Sequence, residues 1–146
     1  MTVSVPTELR LDGRELQMYP LRERDSEELN EWVRAAYVRQ ARLSFEPQER
    51  GTPECNEAVQ RAMADALSLT WFRSPGAAMV FSSKRGLARV LLPGCKREHP
   101  DLTLDDLVAG LKTPAIVEEA EATFARINDL RIVRKAEVAK SEAGPT

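Results

Sequence analysis

The chain of 146 residues has one histidine, two cysteines and only 5 % aromatic residues. Each scarcity removes a class of function. Cys55 and Cys95 stand far apart, with no second pair and no histidine near Cys55, so neither a disulfide framework nor a zinc site follows. No GxSxG, HExxH, CxxC or P-loop pattern occurs, so no motif places a nucleophile beside a base or a glycine loop around a phosphate. These gaps predict a protein that is not an enzyme and that uses no cofactor, no metal and no small-molecule substrate. An excess of charge of one sign is also missing: 21 basic against 23 acidic residues leave a net charge of −2, which predicts no nucleic-acid partner and no membrane partner. No apolar run reaches the roughly 20 residues of a membrane span. The opening MTVSVPTELRLDG has no basic start or apolar run of a signal peptide, which leaves the cytoplasm as the expected compartment.

What is present is 42 % hydrophobic and 30 % charged residues, the composition of a folded and mainly α-helical protein. A chain of this length buries roughly 70 % of its unfolded surface and needs no staples. The expected organisation is a single domain over residues 1–130, with about five helices behind an N-terminal β-hairpin, and a C-terminal arm over 131–146.

The hairpin is predicted over 7–21, where Leu9 and Leu11 alternate on one arm and Leu16, Met18 and Pro20 on the other. Asp12-Gly13 between them is a pair suited to positive φ at both central positions. A helix follows over 26–43, capped by Asp25 with Glu28 reaching back, and its apolar line is Leu29, Trp32, Val33, Ala36, Tyr37 and Gln40. Arg34, Arg39 and Arg42 fall on its solvated face. SFEPQERGTPE, with two prolines and a glycine, reads as an exposed loop and the segment most free to move. The second helix is predicted over 54–72, with Val59, Ala62, Met63, Ala66, Leu67 and Thr70 along one face, Trp71 near its end and RSPG as its stop. A third spans 83–97 from a Ser82-Ser83 cap along Leu87, Val90 and Leu91, bent near Pro93.

REHPDLTLDDL then punctuates the chain. His99 precedes a proline and ends the helix. Thr103 caps the next one over 103–111, with Asp106 as reciprocal partner and Leu102 and Leu107 as a hydrophobic staple. Thr113 and Pro114 start the last helix, over 114–130, which buries Ile116, Val117, Ala120, Phe124 and Ile127. On this reading His99 bonds the free carbonyls of the helix end, Asp101, Asp105 and Asp106 sit in the turn and at the helix start, and Cys95 is an inert thiol despite Lys96 and Arg97 beside it. The two helices around Lys112-Thr113 also have helix-turn-helix lengths, giving a DNA-binding regulator as a third reading. Glu118, Glu119 and Glu121 in the would-be reading helix carry the wrong charge for phosphates.

The order of LRLDGRELQMYPL, RDSEELNEWVRA and GLARVLLPGCKREHPDLTLDDLVAGL resembles the tail assembly chaperones of tailed bacteriophages and prophages. That pattern has a short stretch ending in Tyr-x-hydrophobic-Pro-Leu, then an apolar helix followed by a basic residue, His or Tyr, Pro, an acid and a Thr-led acidic turn. Here it covers Arg10 to Leu21 and Gly86 to Leu111. The resemblance implies a non-enzymatic role in the host cytoplasm, holding an aggregation-prone tail protein soluble until it polymerises. A structural virion subunit that stays in the particle as adaptor, plug or decoration protein suits the same features. Phage tail or other virion proteins are the expected partners, with self-association left open. Large amphipathic side chains make strong interface anchors, which nominates Tyr19, Leu21, Trp32, Tyr37, Trp71 and Phe72 as contact residues.

Overall fold

A computed structural model describes residues 5–129 and is mainly helical, with a two-stranded antiparallel hairpin at the N-terminal side. The expected arm over 131–146, and the end of the helix expected to reach 130, lie outside the described residues.

Strands β1 (Thr7–Leu11) and β2 (Arg14–Met18) pair Leu9 with Leu16 and Thr7 with Met18. Leu9, Leu11, Leu16 and Met18 are all buried, so the period-2 pattern lays one face of the ribbon on the core. Only Gly13 takes a positive φ (70°) in the turn; Asp12 does not, contrary to expectation. The reason is tertiary: the Asp12 N–H donates to the Gly110 carbonyl at 2.9 Å, and Lys112 reaches the Asp12 carboxylate at 3.4 Å.

Helix α1 (Glu23–Leu43) starts three residues earlier than predicted. Asp25 sits inside its first turn, where its buried carboxylate accepts the Arg22 N–H at 3.0 Å and pairs with the Arg22 guanidinium at 3.2 Å. It therefore reaches back to the cap position rather than occupying it. A 3-10 turn (Pro47–Glu49) follows, tied by Arg50 Nε to the Phe45 carbonyl at 3.1 Å and by the Thr52 hydroxyl to the Glu49 carbonyl at 2.6 Å. Thr52 also caps α2 (Pro53–Ala66) by accepting the Cys55 N–H.

Helix α2 ends six residues short of its predicted limit. Side chains of α1 capture the backbone beyond it: Arg34 Nε donates to the Leu69 carbonyl at 3.1 Å, and Asn30 Oδ1 accepts the Trp71 N–H at 2.9 Å. Those bonds compete with continued helix and turn Trp71 inward. A short helix the sequence did not announce, α3 (Gly76–Phe81), follows and buries Val80. With it the described residues hold six α-helices, in keeping with the expected mainly helical fold of about five.

Helix α4 (Lys84–Lys96) is capped by Ser83, which accepts the Gly86 N–H at 3.0 Å, and runs through Pro93 as one element. It is the central helix, with Leu87, Ala88, Val90, Leu91, Gly94 and Cys95 all buried. Gly94 is required by contact: a Cβ there would overlap the Tyr19 carbonyl, and its own carbonyl accepts the Tyr19 N–H at 3.1 Å. Helices α5 (Leu104–Gly110) and α6 (Pro114–Ile127) begin at Thr103 and Thr113 as predicted, each threonine accepting an N–H from the first turn. Leu102 and Leu107 are both buried, as a staple requires. Helix α6 packs its Ala120, Thr123 and Phe124 face inward beside β1.

Candidate interaction surface

The buried positions of α1 are Asp25, Leu29 and Val33, and none lies beyond Val33. Its C-terminal half touches the core only through the half-buried Tyr37 and Val38 and otherwise meets α2, and α2 in turn packs chiefly on α1. Together they form a helical hairpin at the side of the domain, joined to the core through Tyr37, Val38 and Ala66. Helix α2 needs only Cys55, Ala62 and Ala66 to fill that contact. Val59, Met63 and Leu67, spaced every four residues, are left over on one stripe.

Of the apolar line expected along one face of α2, Ala62 and Ala66 are buried and the rest is not. Met63 is 55 % exposed and Leu67 74 % exposed. The stripe forms one wall of a groove of about 510 Å³, and Ala35 and Val38 of α1 form the opposite wall. Arg34, Arg39 and Arg42 line the α1 side. Arg34 is engaged with Leu69, while Arg39 and Arg42 are exposed and have no anionic partner among the described residues. An apolar floor beside such arginines is a surface built for contact more than for solvation.

The six nominated anchors do not gather on one surface. Trp71 is core: it is 4 % exposed, its indole N–H donates to the Ser26 hydroxyl at 2.7 Å, and its ring meets Phe124 edge-on at 5.7 Å. Phe72 next to it is 43 % exposed and packs on Trp71 at 5.6 Å. Trp32 is half-buried under the Arg89 guanidinium, 5.3 Å from the ring centroid. Tyr37 is half-buried and lines a smaller cleft on another side of the α1–α2 pair, with Ala58, Arg61 and Asp65. Leu21 and Tyr19 lie where the hairpin joins α1. Leu21 packs on the core and its N–H donates to Asn128 Oδ1 at 2.7 Å. The Tyr19 hydroxyl donates to Glu98 at 2.6 Å, which raises its pKa, and Arg97 stacks 4.2 Å from its ring.

Sequence reasoning missed Met63, Leu67, Arg39 and Arg42 as a group. The available signal was an apolar arc on α2 too wide for one neighbouring helix to cover.

A second concavity, of about 490 Å³, lies between β2 and the turn after α4, and includes Arg14, Glu98, His99, Asp101 and Asp106. Its polar groups are largely committed to structure. His99 Nε2 accepts the Gln17 N–H at 3.2 Å, so the ring serves β2 and not the carbonyls of the helix end. Glu98 holds Tyr19. Asp106 accepts the Thr103 N–H at 3.0 Å, and the bonds to Thr103, helped by Arg14, lower its pKa. Cys95, fully buried in α4, has its thiol pushed up to about 12 by desolvation. Among the described residues no three histidine, cysteine, aspartate or glutamate side chains converge as a metal would require. No described helix is long and apolar enough to cross a membrane.

Comparison with protein-family models, with curated proteins and with solved structures finds no match to this chain.

Proposed function

We propose that this protein works by protein–protein contact in bacteriophage morphogenesis, as a tail assembly chaperone that keeps a tail structural protein soluble until it polymerises. The observation that carries the contact reading is the apolar stripe of α2, left uncovered beside the arginines of α1. A holding protein needs a surface apolar enough to shield its client and open enough to release it. The phage-tail setting is supported by the pattern from Arg10 to Leu21 and from Gly86 to Leu111. In the structure these two stretches meet, through the Tyr19–Gly94 and Gln17–His99 hydrogen bonds, so the pattern describes one packed unit. In this reading it acts in the host cytoplasm without cofactor or metal.

Co-expression with the neighbouring tail genes tests the proposal. The soluble yield of the client should rise, and the protein should be missing from purified particles. Its presence in stoichiometric amount on a gel of the particle would replace the chaperone with a structural virion subunit.

A further inference from the structure

We propose that the α1–α2 groove takes an acidic amphipathic helix of the client, lying with its apolar side on Val59, Met63 and Leu67 and its carboxylates toward Arg39 and Arg42. The inference rests on the contact reading above and adds the chemistry of the partner.

The walls of the groove decide the occupant's secondary structure. Both are helices, whose backbone N–H and C=O groups are already paired, so they offer an extended segment no ladder partners. A helix brings its own backbone bonds satisfied and presents only side chains. From Val59 to the C-cap Leu67 the stripe climbs eight helical steps, about 12 Å, which matches apolar anchors on roughly two to three turns of a ligand helix.

Charge decides its composition. The α1 side carries three arginines, of which Arg39 and Arg42 have no anionic partner among the described residues. On α2, Glu57 is paired with Arg61 at 3.2 Å, and Asp65 lines the smaller cleft. Nothing described neutralises the rim. Two occupants closer to hand are disfavoured on the same ground. The chain's own last residues carry Arg131, Arg134, Lys135 and Lys140 against Glu137 and Glu142, the same sign as the rim. A second copy docked groove to groove would bring two arginine rims into one seam.

The test uses the full chain and two synthetic, fluorescein-labelled helical peptides with leucines along one face. One has glutamates beside the leucines; the other has lysines in their place. Fluorescence anisotropy should show the glutamate peptide binding roughly ten-fold tighter than the lysine peptide, the difference shrinking as salt rises. The double variant R39E/R42E should invert the preference, since both side chains are exposed and outside the core. Met63→Asp should abolish binding of the preferred peptide with the far-UV circular dichroism unchanged; Leu67→Ser, at a more exposed position, serves if Met63→Asp fails to fold. Equal binding of the two peptides, binding of neither, or a preference that the double variant leaves in place would overturn the inference. So would a dimer that Met63→Asp turns into a monomer, which would assign the groove to a second copy. The phage reading fails separately: a groove that binds the glutamate peptide in a protein that never raises the client's solubility leaves the groove chemistry standing and removes the chaperone. A client kept soluble by a groove that ignores the peptide does the reverse.

Discussion

The Gln17 N–H donates to His99 Nε2 across 3.2 Å, so the chain's single histidine closes the outer edge of β2 against the turn after α4. Two residues on, the Tyr19 N–H goes to the Gly94 carbonyl, and between them these bonds fasten the hairpin to α4. An acceptor nitrogen carries no proton, so the neutral ring holds its proton on Nδ1. Nitrogen-15 shifts of the ring should show that tautomer, and His99→Ala should cost about 1 kcal/mol in a urea melt, the worth of one hydrogen bond. A ring protonated on Nε2 would mean that the histidine serves another partner.

Trp71 should behave as a core residue. Trp71→Ala removes its contacts with Phe124 and Phe72 and should cost about 3–5 kcal/mol. Trp71→Phe keeps most of the volume but strands the Ser26 hydroxyl, and should cost about 1–3 kcal/mol. A Trp71→Ala variant as stable as the parent in denaturant unfolding would return this tryptophan to the surface.

The two buried cysteines report on different parts of the fold. Cys55 is on α2, which is held chiefly by α1, and Cys95 is on the central helix with its thiol pushed up to about 12. Undocking of α2 should expose Cys55 while the core stays closed, so a thiol reagent at neutral pH should label Cys55 at least about ten-fold faster than Cys95. Equal rates would show that α2 opens only with the whole domain.

Asp106 ties the acid limb of stability to a cap. Its bonds to Thr103 lower its pKa in the folded chain, so the unfolded chain binds the proton more readily. The stabilisation is present above the ordinary value of 3.8 and is lost as pH falls through the lowered one. Asp106→Asn should therefore lower Tm at neutral pH and leave it unchanged in strongly acid solution. A loss of Tm that persists undiminished in acid would assign the effect to packing and not to the carboxylate.

Features written in neighbouring residues were legible without coordinates. Thr103 with Asp106, Thr113 with Pro114, and the alternation of Leu9, Leu11, Leu16 and Met18 all act over a few positions, and the structure has them where the spacing puts them. Features decided across the fold were not. Helix α2 stops at Ala66 because Asn30 and Arg34, some 35 to 41 residues earlier, take the backbone of Leu69 and Trp71. Asp12 avoids positive φ because its N–H is committed to Gly110. The groove was hidden for the same reason: an apolar residue on a helix reads as core until its neighbours are counted, and Met63 and Leu67 have too few.

The most direct test of contact through the α1–α2 face is to map where a partner touches the isotope-labelled full chain. Titration with the proposed client, or with the glutamate-bearing helical peptide, should shift amide resonances over residues 34–42 and 59–67 and leave those of α5 and α6 in place. Shifts gathered instead at Tyr19 and Leu21 or along β1, with the α1–α2 face silent, would contradict it.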